Sequence, residues 1–196
     1  LHLYIEHTFL FDGLSEVWRD DTPLTAQDIL EFDAYCAERN IELVPSVATF
    51  GHLYKVLRTK TFHELSEVEE AEGTAFSFYE RMCHHTLNST DDRAYELVCR
   101  LIDEYSPLFR SNLFNINCDE TFDLGRGRGK ERADEIGSHV MYVQWVNRVC
   151  EHVKSLGKRP MFWGDIIAAH PEAIKELPED VICMTWIIVR HHEKSM

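Results

Sequence analysis

Two kinds of apolar stretch alternate along this chain. Residues 1–5, 41–47, 113–118, 160–163 and 181–186 are short, nearly continuous apolar runs bounded by polar or glycine-containing segments, the pattern of buried strands. Between them, apolar positions recur at helical spacing. Ile29, Phe32 and Cys36, with Leu30, Ala34 and Ala37, give a helical face that Thr25 and Asp28 introduce as a near capping box and Asn40 closes. Ala94, Leu97, Val98, Leu101, Ile102 and Tyr105 follow the capping Asp91 and predict a second helix, ended by Pro107. Ile136, Val140, Val143, Val149, Val153 and Leu156 predict one long helix stopped by Gly157, and a short helix begins near Pro171. The stretch 53–90 is less regular. Its acidic run over residues 64–72 and the aromatic residues after it fit a substrate-facing excursion and a solvated helix and loop equally well.

Strands alternating with helices predict a parallel sheet with right-handed crossovers. Periodicity alone does not separate an open doubly wound sheet from a barrel; the polar residues do. Glu6-His7, Gly51-His52, Asp119-Glu120, Trp163 with Asp165, and Trp186 stand at the C-terminal ends of consecutive strands. A doubly wound sheet gathers such residues at one switch point, whereas a (β/α)₈ TIM barrel spreads them around its rim. The expected fold class is therefore α/β, a TIM barrel. At 196 residues the chain is shorter than the ~250 of a typical barrel, so it reads as one partial catalytic domain over residues 1–196.

Composition narrows the partners. Against 20 basic residues stand 34 acidic ones, a formal charge of −14 that repels phosphate backbones and argues against nucleic acid. No apolar run reaches the ~18–20 residues of a membrane-spanning helix. The six cysteines form no CxxC pair and lie mostly in apolar stretches, which favours free buried thiols and a reducing, cytoplasmic setting. Cys83-His84-His85 and His191-His192 lack the spacing of a structural zinc site. The loop 125–129, Gly-Arg-Gly-Arg-Gly, is not a phosphate-binding GxxxxGK[ST] sequence. No metal and no cofactor is expected.

The most informative stretch runs from Asn115 to Thr121, Asn-Ile-Asn-Cys-Asp-Glu-Thr. Two acids at the end of an apolar strand are expensive to place unless they are paired or used. Because neighbouring side chains on a strand point in different directions, Asp119 and Glu120 are poorly placed to flank one glycosidic bond as a separated carboxylate pair does. They suit a division of labour instead. The longer Glu120 reaches and protonates a leaving-group oxygen, and Asp119 holds another part of the same sugar.

At these residues the chain resembles family 20 glycoside hydrolases, the β-N-acetylhexosaminidases. Asp119-Glu120 matches the Asp-Glu pair that ends the family's fourth barrel strand, and Phe50-Gly51-His52 its Pro-Gly-His. Trp163 and Trp186 match its sugar-walling tryptophans, and Thr86-Leu87-Asn88 its motif before the next helix. The resemblance implies a retaining, substrate-assisted hydrolysis of terminal β-linked N-acetylhexosamine, in which the substrate's acetamido carbonyl attacks its own anomeric carbon. Asp119 would orient the acetamido group and Glu120 would serve as acid and then base. His52, Trp163, Trp186, Glu6 and Asp165 would bind substrate. Tyr4-Ile5-Glu6-His7 departs from the family's His-x-x-Asp. The chain maps onto barrel strands two to six, so the family's sugar-binding residues on strands one, seven and eight fall outside it. With its outer strands unpaired, such a piece is expected to self-associate. Two other readings stay open: a metal-dependent barrel hydrolase using His52, Asp119, Glu120 and Asp165, and a carbohydrate-binding piece without catalysis.

Overall fold

A computed structural model describes residues 1–69, 77 and 85–186. Five strands form one sheet: β1 (His2–Ile5), β2 (Val44–Val47), β3 (Leu113–Asn115), β4 (Arg159–Trp163) and β5 (Ile182–Met184). Each pairs in parallel with the strand before it, so the spatial order β1-β2-β3-β4-β5 is the chain order. A doubly wound sheet reverses direction at its switch point. This sheet never does, which makes it an arc of a barrel.

Among the described residues the α-helices are α1 (Ser15–Trp18), α2 (Ala26–Ala37), α3 (Tyr54–Leu57), α4 (Asp92–Tyr105), α5 (Lys130–Ile136), α6 (Ser138–Ser155) and α7 (Asp165–Ala169). Thr25 and Asp28 close a full capping box on α2, and Asp91 accepts from the Arg93 amide at the start of α4. All six apolar residues expected on α4 are buried. Together with α6 they cover the outer face of the sheet, where Val47, Phe114 and Phe162 are fully buried in the same cluster as Val98, Ile102, Val146 and Val149. Ser46 and Asn115, partners in the β2–β3 register, are the buried polar residues that alternate with them.

Three expectations need correction. The long helix is two, because Gly137 adopts φ 89°, outside the helical region, and separates α5 from α6. On α2 the buried row is Ile29, Asp33 and Cys36; Leu30 and Phe32 lie off that row and are exposed. The run 113–118 is strand only to Asn115, since Asn117 and Cys118 turn to positive φ. The short helix expected near Pro171 is present as the 3₁₀ helix Pro171–Glu176, directly after α7. No helix among the described residues is long and apolar enough to cross a membrane.

Candidate active site

The loops after β2 and β3 meet at van der Waals limits. A Cβ on Gly51 would stand 2.4 Å from the Asp119 carbonyl oxygen, so only glycine lets the two loops touch there. The Thr49 hydroxyl donates to the Ile116 carbonyl at 2.6 Å, and the Tyr142 hydroxyl of α6 donates to that of Cys118 at 2.9 Å. Around these fixed points His52, Asn117, Cys118 and Glu120 all take left-handed backbone, with φ between 51° and 63°. Non-glycine residues hold that conformation only where surrounding contacts impose it. For Glu120 the contact is Asp165, whose Oδ2 accepts the Glu120 amide at 3.0 Å.

This backbone gathers the side chains that the sequence singles out. His52 Nε2 lies 3.1 Å from Glu120 Oε2 and 3.4 Å from Asp119 Oδ2. On its other side, His52 Nδ1 faces Glu6 Oε1 at 3.9 Å, and His7 Nδ1 lies 3.7 Å from Glu6 Oε2. Tyr4 donates its phenol to Glu6 Oε1 at 3.0 Å. Burial and the carboxylates of Glu6 and Asp119 push the Tyr4 hydroxyl up, so it remains a donor.

Burial and neighbouring charges act on these groups in opposing directions. Burial works against a charged His52, but its hydrogen bond to Asp119 and the carboxylates of Asp119, Glu6 and Glu120 outweigh that and raise its pKa. Burial also raises Glu120, helped by the charges of Asp119 and Asp165 and opposed by His52. Asp165 is raised by burial and by Asp119, against the pull of the Glu120 N–H. Asp119 keeps one buried oxygen, Oδ1, that accepts from none of the described residues. Burial thus favours the protonated form of Glu120, and beside it Asp119 Oδ1 is open to a donor from outside the described residues.

Trp163, at the end of β4, is bonded twice to Asn117: its amide donates to the Asn117 carbonyl at 2.9 Å and its indole Nε1 to Asn117 Oδ1 at 3.0 Å. Trp186 follows β5 and is 39% exposed; no hydrogen bond or ring contact among the described residues joins it to the cluster. Sequence reasoning missed Tyr4, Ser46, Asn115 and Asn117. Their signal was available as isolated polar residues inside apolar strand runs.

The Gly-Arg loop has a different use from binding phosphate. Glu67 is fully buried, and its Oε1 accepts the amides of Gly127 and Gly129, each at 3.0 Å. A Cβ on Gly127 would meet the Glu67 carbonyl oxygen at 1.9 Å. The amides of Gly127 and Gly129 thus hold a carboxylate of the same chain. Asp123 accepts the backbone N–H and the hydroxyl of Thr86, which ties Thr86-Leu87-Asn88 to the same loop.

Among the described residues no group of three or more His, Cys, Asp or Glu is arranged to hold a metal ion. Cys83, His84, His191 and His192 lie outside the described residues. The five described cysteines are free thiols.

Residues 15–196 match the profile described as glycosyl hydrolase family 20, catalytic domain. Hexosaminidase D of Homo sapiens is 26% identical over 93% of this chain and 35% of its own length. A beta-hexosaminidase of Vibrio furnissii is 23% identical over 83% of this chain and 26% of its own. The chain thus spans about a third and a quarter of these relatives. Among solved structures, Flavobacterium johnsoniae chitobiase superposes with a TM-score of 0.76 at 21% identity, over 95% of this chain and 29% of that one. A mutant Streptomyces plicatus beta-hexosaminidase in complex with its product GlcNAc gives 0.73 at 19% identity, over 98% and 37%. These likenesses establish the barrel fold. With the family profile matched from α1 to the last residue, the chain belongs to glycosyl hydrolase family 20 and lies within its catalytic domain.

Proposed function

We propose that the protein carrying this chain is a retaining β-N-acetylhexosaminidase that uses the substrate's acetamido group as nucleophile. One observation carries the reading: Asp119 Oδ1 is buried and meets no donor among the described residues, next to the Glu120 carboxyl, whose protonated form burial favours. A buried carboxylate oxygen with no partner costs about 1–3 kcal/mol or more, and an amide N–H from a ligand removes that cost. The acetamido N–H of an N-acetylhexosaminide is such a donor, placed two atoms from the anomeric carbon.

In the first step the acetamido carbonyl oxygen bonds to the anomeric carbon as the glycosidic C–O bond breaks, and the Glu120 proton passes to the departing oxygen. Asp119 accepts from the acetamido nitrogen as positive charge grows there. In the second step the Glu120 carboxylate takes a proton from water, whose oxygen bonds to the anomeric carbon as the ring of the intermediate opens. Two inversions leave the configuration retained. His52 Nε2, 3.1 Å from Glu120 and 3.4 Å from Asp119, couples the charges of the two carboxylates.

The test is turnover by the full-length protein of aryl N-acetyl-β-glucosaminide and N-acetyl-β-galactosaminide beside the matching aryl β-glucoside. Release of the β-anomer from the amino sugars alone is expected; comparable cleavage of the glucoside would refute the proposal. On the same reading, residues 1–196 alone form an arc of a barrel. Among the described residues β1 and β5 each pair on one side only, and exposed edges of this kind template association.

A further inference from the structure

We propose that Asn117 is the positioning residue for Trp163 and, through it, sets which N-acyl group the site accepts. This rests on the hydrolase reading above and on the family resemblance, which makes Trp163 a wall of the sugar site.

The argument begins with chemistry that fixes the amide's orientation. An indole N–H can only donate, so the atom of Asn117 within 3.0 Å of Trp163 Nε1 must be its oxygen. The same oxygen accepts the Ser46 hydroxyl at 3.0 Å, and Asn115 Nδ2 donates to that hydroxyl's oxygen at 3.0 Å. Asn115 Oδ1 in turn accepts the Asn117 amide at 3.0 Å. Asn117 is therefore held through its backbone N–H and its side-chain oxygen, and it holds Trp163 through backbone and side chain together. Ser46, Asn115 and Asn117 are all at most 1% exposed. Hydrogen bonds among buried groups resist competition from water, so they fix a ring more firmly than the same bonds would at the surface.

The backbone of Asn117 is left-handed, φ 58°, a conformation that asparagine and glycine adopt with little strain. Nothing about the turn requires a side chain at this position. The amide oxygen is what distinguishes asparagine from glycine here, and it is bonded to the indole and to the Ser46 hydroxyl. An aromatic wall held at two points tolerates little change in the size of the group it faces. One held only by its backbone can tilt about χ1 and χ2 and admit a larger group.

The test uses Asn117→Gly, which suits the left-handed turn, and Trp163→Phe, which keeps an aromatic wall but has no N–H. In the full-length protein, kcat/KM is measured for aryl β-glucosaminides carrying N-acetyl, N-propionyl and N-butyryl groups. Loss of one neutral hydrogen bond predicts roughly a 3- to 10-fold fall for the N-acetyl substrate. The fall should be smaller for the larger acyl groups, so the N-acetyl to N-propionyl ratio shrinks at least about threefold. The double variant should shift that ratio no further than either single change, because both remove the same bond. An unchanged ratio in both single variants, or additive shifts in the double, overturns the assignment while leaving the hydrolase reading intact. If the unaltered protein cleaves none of the three, the hydrolase reading falls and this inference with it.

Discussion

Glu120 sits among charges that pull its proton in opposite directions. Burial and the carboxylates of Asp119 and Asp165 hold the proton on, while a charged His52 draws it off. A general acid works only while protonated, so its contribution is lost as pH rises through its pKa. The alkaline limb of kcat/KM should therefore lie above the ordinary carboxylate range. Asp165→Asn removes a negative neighbour, and the asparagine carbonyl still accepts the Glu120 N–H. That variant should move the alkaline limb to lower pH. His52→Gln removes a positive neighbour and should move it to higher pH. Shifts of equal sign in the two variants would contradict the placement of Glu120 between them. Glu120→Gln should cut turnover about 10²–10⁴-fold for poor leaving groups and less for acidic ones; equal losses across a leaving-group series would remove Glu120 from the acid role. The acids and His52 were legible in the sequence because their cost at strand ends is local and visible. Asn117 and Tyr4 stood out only as polar residues in apolar runs; the use of Asn117 was hidden because its partner Trp163 is on another strand, and that of Tyr4 because its neighbour Glu6 departs from the family pattern.

At the scale of elements, the site depends on loops touching across strands. Adding a Cβ at Gly51 forces the Asp119 backbone to move, since the contact at 2.4 Å is with main chain that cannot rotate away. Overpacking of this kind costs about 1–3 kcal/mol. Gly51→Ala should lower both the melting temperature and kcat/KM, whereas normal activity in a stable variant would show that the two loops move independently. Glu67→Ala orphans the buried amides of Gly127 and Gly129, at about 1–3 kcal/mol each, and should be more destabilising than Glu67→Gln, which keeps the accepting oxygen. Denaturant unfolding of the two variants compares them directly. Strand positions and the capped helices α2 and α4 were readable from periodicity and cap residues. The break at Gly137 was not, because apolar spacing continues across it and a lone glycine in a helical pattern is ambiguous. The use of loop 125–129 was hidden for another reason: its carboxylate partner, Glu67, is far away in sequence.

For the molecule as a whole, the sheet order decided what periodicity left open. Five parallel strands in chain order form a barrel arc, and the rim of that arc carries the candidate residues. A polypeptide of residues 1–196 alone should sediment as more than a monomer and show little hydrolysis, because β1 and β5 each offer an unpaired edge among the described residues. A monodisperse, fully active monomer would contradict this. The central claim, that the substrate's own acetamido carbonyl attacks the anomeric carbon beside Asp119, is tested most directly in the full-length protein. Aryl β-glucosaminides whose N-acyl group is acetyl, fluoroacetyl, difluoroacetyl and trifluoroacetyl change the nucleophilicity of that carbonyl with little change in shape. The account predicts that log kcat/KM falls steeply and linearly as fluorines are added. A flat series, with the trifluoroacetyl substrate cleaved as fast as the acetyl one, would contradict it.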